Sequence, residues 1–308
     1  MAYSARMQKS HLYSIFFAPR GNERMADLGM QIAQQYLSPF DKIIGLVGVA
    51  GSGKSMIIKG MFPGLELTND DEGVNVRPLP LLSIEDTGFY TAHTYHVDIR
   101  FESAFVQMHE LADAILNAVS KGKRVIVEHF DLIYDQLGRN AHLLIGIGEE
   151  VIITRPTLFG PRPQEITEIV FKSVSSRLMV HTAEDLCEHF LSKQGVGKHL
   201  YEHADVRHGF ILSFFSKPEI DLDTLEDQIN ELINEDVSIS YFDETHILIG
   251  EEMHSCTGPR MHVRSTGEVG KVTLLKELLQ EPITDLFLLV GVVGEIYDLN
   301  DLNNIVLQ

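Results

Sequence analysis

Two spacings of apolar residues alternate along the first half of the chain. Helical spacing, with apolar positions three and four residues apart, covers residues 22–37 and 101–120. Short apolar runs that are typical of strands lie at residues 10–17, 43–47, 79–84, 125–127, 143–147 and 151–154. Strands that alternate with helices predict an α/β fold with a doubly wound, mainly parallel sheet.

The pattern changes after the Pro/Gly-rich segment 155–163. We therefore predict two domains, residues 1–160 with an N-terminal strand and helix as an extension, and residues 161–308. The second contains an amphipathic acidic helix at Leu222–Asn234 and an apolar tail at Ile283–Val293, which predicts an α+β domain.

Composition narrows the class of protein. The 308 residues are 44% hydrophobic and carry a net charge of −19, with the acidic excess greatest after residue 169. This charge argues against non-specific nucleic-acid binding, and we predict no DNA partner. Two cysteines, no secretory leader and no apolar run of about 20 residues predict a cytoplasmic protein without a membrane span.

One stretch carries the clearest chemistry. The strand-like run Ile43–Val47 leads into an octet that fits the phosphate-loop pattern G-x-x-x-x-G-K-[ST] at every fixed position. Glycines allow successive backbone N–H groups to point into one concavity and hold phosphate oxygens. The nucleotide-binding residues predicted here are Gly48, Val49, Ala50, Gly51, Ser52, Gly53, Lys54 and Ser55.

The loop predicts ATP and Mg²⁺ as cofactors. Lys54 is expected at the β- and γ-phosphates and Ser55 at Mg²⁺. Glu128 ends the apolar strand Val125–Val127, where an acidic residue assists the metal, and we favour it over Asp131. Arg155 is a catalytic candidate that would stabilise charge on the transferred phosphoryl group. Arg162 is equally placed, and a linker with two solvated arginines is the alternative.

The region after the loop resembles uridine kinases and related nucleoside kinases. Asp86 is followed by Phe89-Tyr90, and Tyr95-His96-Val97-Asp98 precedes a helix. The resemblance implies that Asp86 is the general base for the acceptor hydroxyl of a small molecule, with Asp98 as the alternative base or metal contact. A second alternative is that Asp86 only caps a turn.

The second domain resembles the editing region of alanyl-tRNA synthetases, also called their second additional domain. The segment Cys256-Thr-Gly-Pro-Arg-Met-His262 continues into Thr266-Gly267-Glu268-Val269-Gly270, which is similar to that family's signature. The helical segment His181-Thr-Ala-Glu-Asp185 stands at the place of the family's His-x-Ala-x-His. The resemblance implies tRNA or an aminoacyl group as a partner.

The same resemblance implies a zinc site formed by His181, Asp185, Cys256 and His262. Residues i and i+4 share a helix face, and thiolate with imidazole suits Zn²⁺. Two departures are visible, because Asp185 replaces a histidine and five residues separate Cys256 from His262. His246 and His254 are substitutes, and a domain that has lost its metal is the alternative.

Three hypotheses of function follow. The first is an ATP/Mg-dependent phosphotransferase or NTPase that carries an editing-like domain. The second is a metal-dependent aminoacyl-tRNA deacylase with an attached ATPase. The third is a nucleotide-gated sensor with a degenerate second domain. We rank the kinase or NTPase first, because the phosphate-loop pattern is intact.

Overall fold

A computed structural model of the chain describes residues 13–67, 79–83, 93–294 and 302. The chain forms two compact units. Unit 1 takes residues up to 18 and residues 23–173, and unit 2 takes residues 19–22 and everything from residue 174. The boundary at residue 173 lies ten residues inside the helix that begins at Pro163.

Strands and helices alternate through unit 1. Its elements are β1 (Tyr13–Phe17), α1 (Asn22–Tyr36), β2 (Ile43–Gly48), α2 (Lys54–Met61), β3 (Thr94–Asp98), α3 (Ile99–Glu102), α4 (Met108–Ser120), β4 (Arg124–Glu128), α5 (Phe130–Leu137), β5 (Leu143–Ile147), β6 (Glu150–Thr154) and the start of α6 (Pro163–Lys193). The predicted strand over residues 79–84 is wrong where the structure describes it, because Pro80–Ser83 is a 3₁₀ turn. Proline at its first position favours such a turn over a strand.

The sheet of unit 1 has the order β1-β6-β5-β2-β4-β3. Strands β3, β4, β2 and β5 are parallel, whereas β6 and β1 run antiparallel to their neighbours. The α/β class is thus confirmed, and the sheet is mixed. Because β2 and β4 are central and parallel, the residues that follow them emerge at the same edge.

Alternate residues of these strands enter two separate cores. Val47 and Val127 pack on one face with α4 and α5, and Leu46 and Ile126 pack on the other with α1 and α2. Strands buried on both faces read as continuous apolar runs, which is why the sequence pattern located them.

Unit 2 is built from antiparallel sheets and helices. Its further elements are β7 (Tyr201–Val206), β8 (Gly209–Phe214), α7 (Leu222–Asn234), β9 (Ile239–Asp243), β10 (His246–Ile249), β11 (Glu252–Ser255), β12 (Val272–Leu274), β13 (Leu279–Gln280) and β14 (Phe287–Val293). One sheet has the order β12-β14-β8-β7, with β13 also paired to β14, and the other has the order β11-β10-β9. Within the described residues, no helix combines the length and apolarity that crossing a bilayer requires.

Candidate functional sites

The predicted phosphate loop of unit 1 joins the buried end of β2 to the first residue of α2. Gly51 and Gly53 have φ of 78° and 94°, a region that residues with a side chain rarely adopt. The Ser52 N–H donates to the Val49 carbonyl over 3.3 Å, which closes the turn. The loop therefore delivers the chain into the N-terminus of a helix, where free N–H groups and the helix dipole favour an anion.

Three predicted site residues meet beside this loop. The Lys54 ammonium donates to the carbonyls of Val49 and Gly48 over 2.9 and 3.3 Å. The Ser55 hydroxyl donates to Glu128 Oε1 over 3.3 Å, and Glu128 Oε2 lies 3.8 Å from Lys54 Nζ. The structure thus brings Lys54, Ser55 and Glu128 together at the edge where β2 and β4 end.

Burial shapes the charges of this site. Desolvation lowers the pKa of Lys54, although the nearby carboxylates of Glu128 and Asp98 oppose the shift. Desolvation would raise the pKa of Glu128, but its hydrogen bond to His96 and the charges of His96 and Lys54 hold that pKa below its ordinary value. Glu128 is therefore ionised at neutral pH and ready to accept a cation or a proton donor.

Sequence reasoning missed His96 and His129 in this site, whereas it named Asp98 as an alternative base or metal contact. His96 Nε2 lies 3.1 Å from Glu128 Oε1, and β3 aligns Asp98 directly with Glu128 on β4. His129 follows Glu128, and ligand atoms of Asp98, Glu128 and His129 all lie within 4.8 Å of one another. The available signal was strand order, because β3 and β4 both end in acidic residues and are parallel neighbours.

Two predicted catalytic residues have different outcomes. Asp86 lies outside the described residues, so the structure does not place it. The prediction that Arg155 contacts the transferred phosphoryl group is wrong. It follows β6, whose last residue Thr154 pairs with Leu144 near the start of β5. Because β5 and β2 are parallel, Arg155 lies at the edge opposite the loop.

Arg155 instead forms a structural ion pair. Its guanidinium donates to both carboxylate oxygens of Asp41 over 2.7 and 2.8 Å, and also to the carbonyls of Tyr36 and His142. The side chains of Arg155 and Asp41 are 10% and 2% exposed. The pair fastens the end of β6 to the segment that precedes β2.

We expect Arg155→Ala to destabilise unit 1 without affecting a phosphate ligand. The loss is about 3 kcal/mol, because the substitution leaves the Asp41 carboxylate buried without its main partner. Urea unfolding measures the loss, and calorimetry with Mg·ATP on the folded variant measures binding. Arg162→Ala is the matched control and is expected to change neither quantity. Weakened nucleotide binding by folded Arg155→Ala would contradict this assignment.

In unit 2, the structure brings together the four residues predicted to bind zinc. His181 and Asp185 lie one turn apart on α6, and Cys256 and His262 lie in the segment after β11. One ligand atom from each lies within 4.8 Å of all the others. His181, Asp185 and Cys256 are each at most 3% exposed.

The spacing of these atoms fits a tetrahedral cation. Zinc bonds of about 2.0–2.3 Å place neighbouring ligand atoms roughly 3.3–3.6 Å apart. Cys256 Sγ lies 3.5 Å from His181 Nε2 and 3.7 Å from His262 Nε2, and His181 Nε2 lies 3.9 Å from Asp185 Oδ2. Asp185 Oδ2 and His262 Nε2, which are hydrogen-bonded over 2.7 Å, would have to separate.

Outer contacts hold these side chains in place. The Pro259 carbonyl lies 3.2 Å from His262 Nδ1, so Nε2 of His262 faces the cluster, which is the arrangement that metal-bound histidines adopt. His181 differs, because its Nε2 also lies 3.2 Å from the Gly258 carbonyl and its Nδ1 lies 3.8 Å from Glu184 Oε2, beyond hydrogen-bond distance. Burial and the neighbouring Asp185 raise the pKa of the Cys256 thiol, which a bound cation would reverse.

A second polar group adjoins the cluster. Glu188, one turn beyond Asp185, lies 3.1 Å from His203 Nε2 and forms an ion pair with Lys198. Burial and the charge of Asp185 raise the pKa of Glu188. His254 Nε2 lies 3.7 Å from Asp185 Oδ1, so this predicted substitute ligand faces the other oxygen of the carboxylate. The other predicted substitute, His246, pairs with Asp243 instead.

Comparisons with known proteins identify no family. No family model matches the chain, and no curated protein does. Among solved structures, an amino transferase from Eubacterium rectale has a TM-score of 0.26 and 10% identity, over 73% of this chain and 66% of that one. The ornithine aminotransferase from Toxoplasma gondii has a TM-score of 0.27 and 11% identity, over 84% and 70%. The chain thus spans just under two thirds of the first structure, and scores this low carry no argument about fold or activity.

The comparisons correct both family resemblances. The chain matches no model of nucleoside kinases and none of alanyl-tRNA synthetases, and no curated protein of either family. Membership of either family is therefore wrong as a prediction. Short motifs of a few residues can arise without common descent, and what remains is the geometry of the two clusters.

Proposed function

We propose that unit 1 binds a nucleoside triphosphate with Mg²⁺ and transfers its terminal phosphoryl group to water or to a small acceptor. The observation that carries this proposal is the meeting of Lys54, Ser55 and Glu128 beside a glycine-rich loop that opens a helix. The strand order supports a doubly wound phosphate-loop fold. Two buried free thiols suit the reducing cytoplasm.

Each residue has a role that its position supports. Loop N–H groups and Lys54 would neutralise the phosphates, and Ser55 with Glu128 would hold Mg²⁺, which supplies further positive charge to the transferred group. Asp98 is the acidic residue nearest to Glu128 in register and can orient the attacking hydroxyl. Asp86, the base that the sequence predicts, lies outside the described residues.

Unit 2 supports a second function, zinc binding by His181, Asp185, Cys256 and His262. Four protein ligands leave no position for water, so the site is best suited to stabilising the fold. Ester hydrolysis by this centre, as in an aminoacyl-tRNA deacylase, would require one ligand to give way to water.

Turnover of Mg·ATP by the full chain tests the first proposal. Calorimetry should detect Mg·ATP binding. Phosphate should be released or transferred at a steady rate without an initial burst. Glu128→Gln should keep the affinity for Mg·ATP within about tenfold of wild type. It should lower turnover by about 10²-fold or more, because Mg²⁺ is no longer held where its charge stabilises the transition state. Glu110→Gln on α4 is the control. Binding without any turnover would leave a nucleotide-gated sensor, and absence of binding would refute the proposal.

A further inference from the structure

His129 has a backbone conformation that calls for a reason. Its φ is 55°, in the left-handed region, and it is the residue between the end of β4 and the start of α5. Glycine takes this conformation freely, whereas a histidine adopts it at a cost in stability. Strain of this kind concentrates where a side chain has to be presented to a site.

The side chain of His129 is directed at the carboxylates of the loop site. It is 8% exposed, and one ring nitrogen lies within 4.8 Å of carboxylate oxygens of both Glu128 and Asp98. Its imidazole forms no hydrogen bond with any residue that the structure describes, and it does not cap α5. A buried imidazole that forms no hydrogen bond with the described part of the chain and is aimed at two carboxylates has the properties of a metal ligand.

Two of the three side chains are carboxylates, which attract a cation, and two cations of the protein also act on the site. Lys54 Nζ lies 3.8 Å from Glu128 Oε2, and Arg100 is the other cation that acts on His129. Two carboxylate oxygens and one imidazole nitrogen are a donor set that suits Mn²⁺ and its neighbours better than Mg²⁺, which prefers oxygen alone.

We propose that Asp98, Glu128 and His129 form a divalent-cation site that prefers Mn²⁺ to Mg²⁺. The inference deepens the proposed function and rests on it for the role of the ion at the phosphates. Binding of the cation itself depends only on the three side chains.

Titration of the full chain with Mn²⁺, followed by the electron paramagnetic resonance signal of the free ion, tests the site. The protein is first loaded with one equivalent of Zn²⁺, which the thiolate-containing cluster of unit 2 takes up ahead of the carboxylate site, so that this cluster does not bind Mn²⁺. Wild type should bind one Mn²⁺ per chain, and Mg²⁺ should displace it only at about tenfold excess or more. His129→Gly should weaken Mn²⁺ binding at least about tenfold, while its thermal midpoint stays equal or rises.

His208→Gly is the matched control, because His208 has φ of 54° and lies in unit 2 outside both clusters. It relieves the same kind of strain and should leave Mn²⁺ binding unchanged. Mn²⁺ binding by His129→Gly within about twofold of wild type, or equal competition by Mg²⁺, would overturn the inference. Calorimetry with Mg·ATP is run separately, so Mn²⁺ binding without ATP binding would refute the proposed function and leave this site intact.

Discussion

Lys54→Ala is expected to weaken Mg·ATP binding by about 100-fold and to abolish turnover. The ammonium is the buried cation at the loop, held by the carbonyls of Gly48 and Val49 and 3.8 Å from Glu128. Charge-assisted hydrogen bonds to phosphate contribute roughly 1.5–3 kcal/mol each, and about 1.4 kcal/mol is tenfold in affinity. Calorimetry and phosphate release measure the two effects.

Lys59→Ala is the matched control for that experiment. Lys59 lies in the last turn of the same helix, α2, so it is remote from the loop at the helix N-terminus. We expect affinity within about twofold of wild type, since a surface charge contributes little. Equal losses in both variants would mean that α2 is merely destabilised, and unchanged binding in Lys54→Ala would remove the loop from the site.

Cys256→Ala is expected to eliminate zinc from unit 2. The content measured by atomic absorption should fall from about one ion per chain to near zero, because the thiolate is the strongest of the four ligands. Loss of an ion held at about a thousand times its dissociation constant removes roughly 4 kcal/mol, and the thermal midpoint should fall by roughly 10 °C.

Cys187→Ala separates metal loss from loss of packing. Cys187 is also fully buried on α6, but it packs in the apolar core rather than in the cluster. This variant should lose stability through a small cavity and keep its zinc. A strong chelator should lower the midpoint of Cys187→Ala and leave that of Cys256→Ala unmoved. Wild-type protein without zinc after growth in zinc-rich medium would refute the metal centre.

Local physics explains what the sequence could predict. The run Ile43–Val47 and the octet after it specify a buried strand, a glycine turn and a helix start within a few residues, and all three are present. The helix Asn22–Tyr36 follows equally from its apolar spacing. Such features depend on near neighbours in the chain, so no knowledge of the rest of the fold was needed.

Contacts between residues that are far apart in the sequence could not be predicted in the same way. The sequence analysis assigned Arg155 to the phosphate because it did not recognise that β6 runs antiparallel to β5. Only Gly148 and Glu149 separate the two strands, and so short a connection is typical of a hairpin. His129 was overlooked because a left-handed histidine has no signature in the sequence. The four zinc candidates were selected through a family resemblance that proved wrong, yet α6 and the segment after β11 bring them together.

The left-handed histidine has a consequence for engineering. Selection for heat resistance alone would favour glycine at position 129. Replacing the left-handed histidine with glycine relieves backbone strain and raises the free energy of unfolding by about 1 kcal/mol. The improved scaffold would keep its fold while losing an ion-binding group. Stabilised versions of this protein should therefore be screened for manganese uptake as well as for melting temperature.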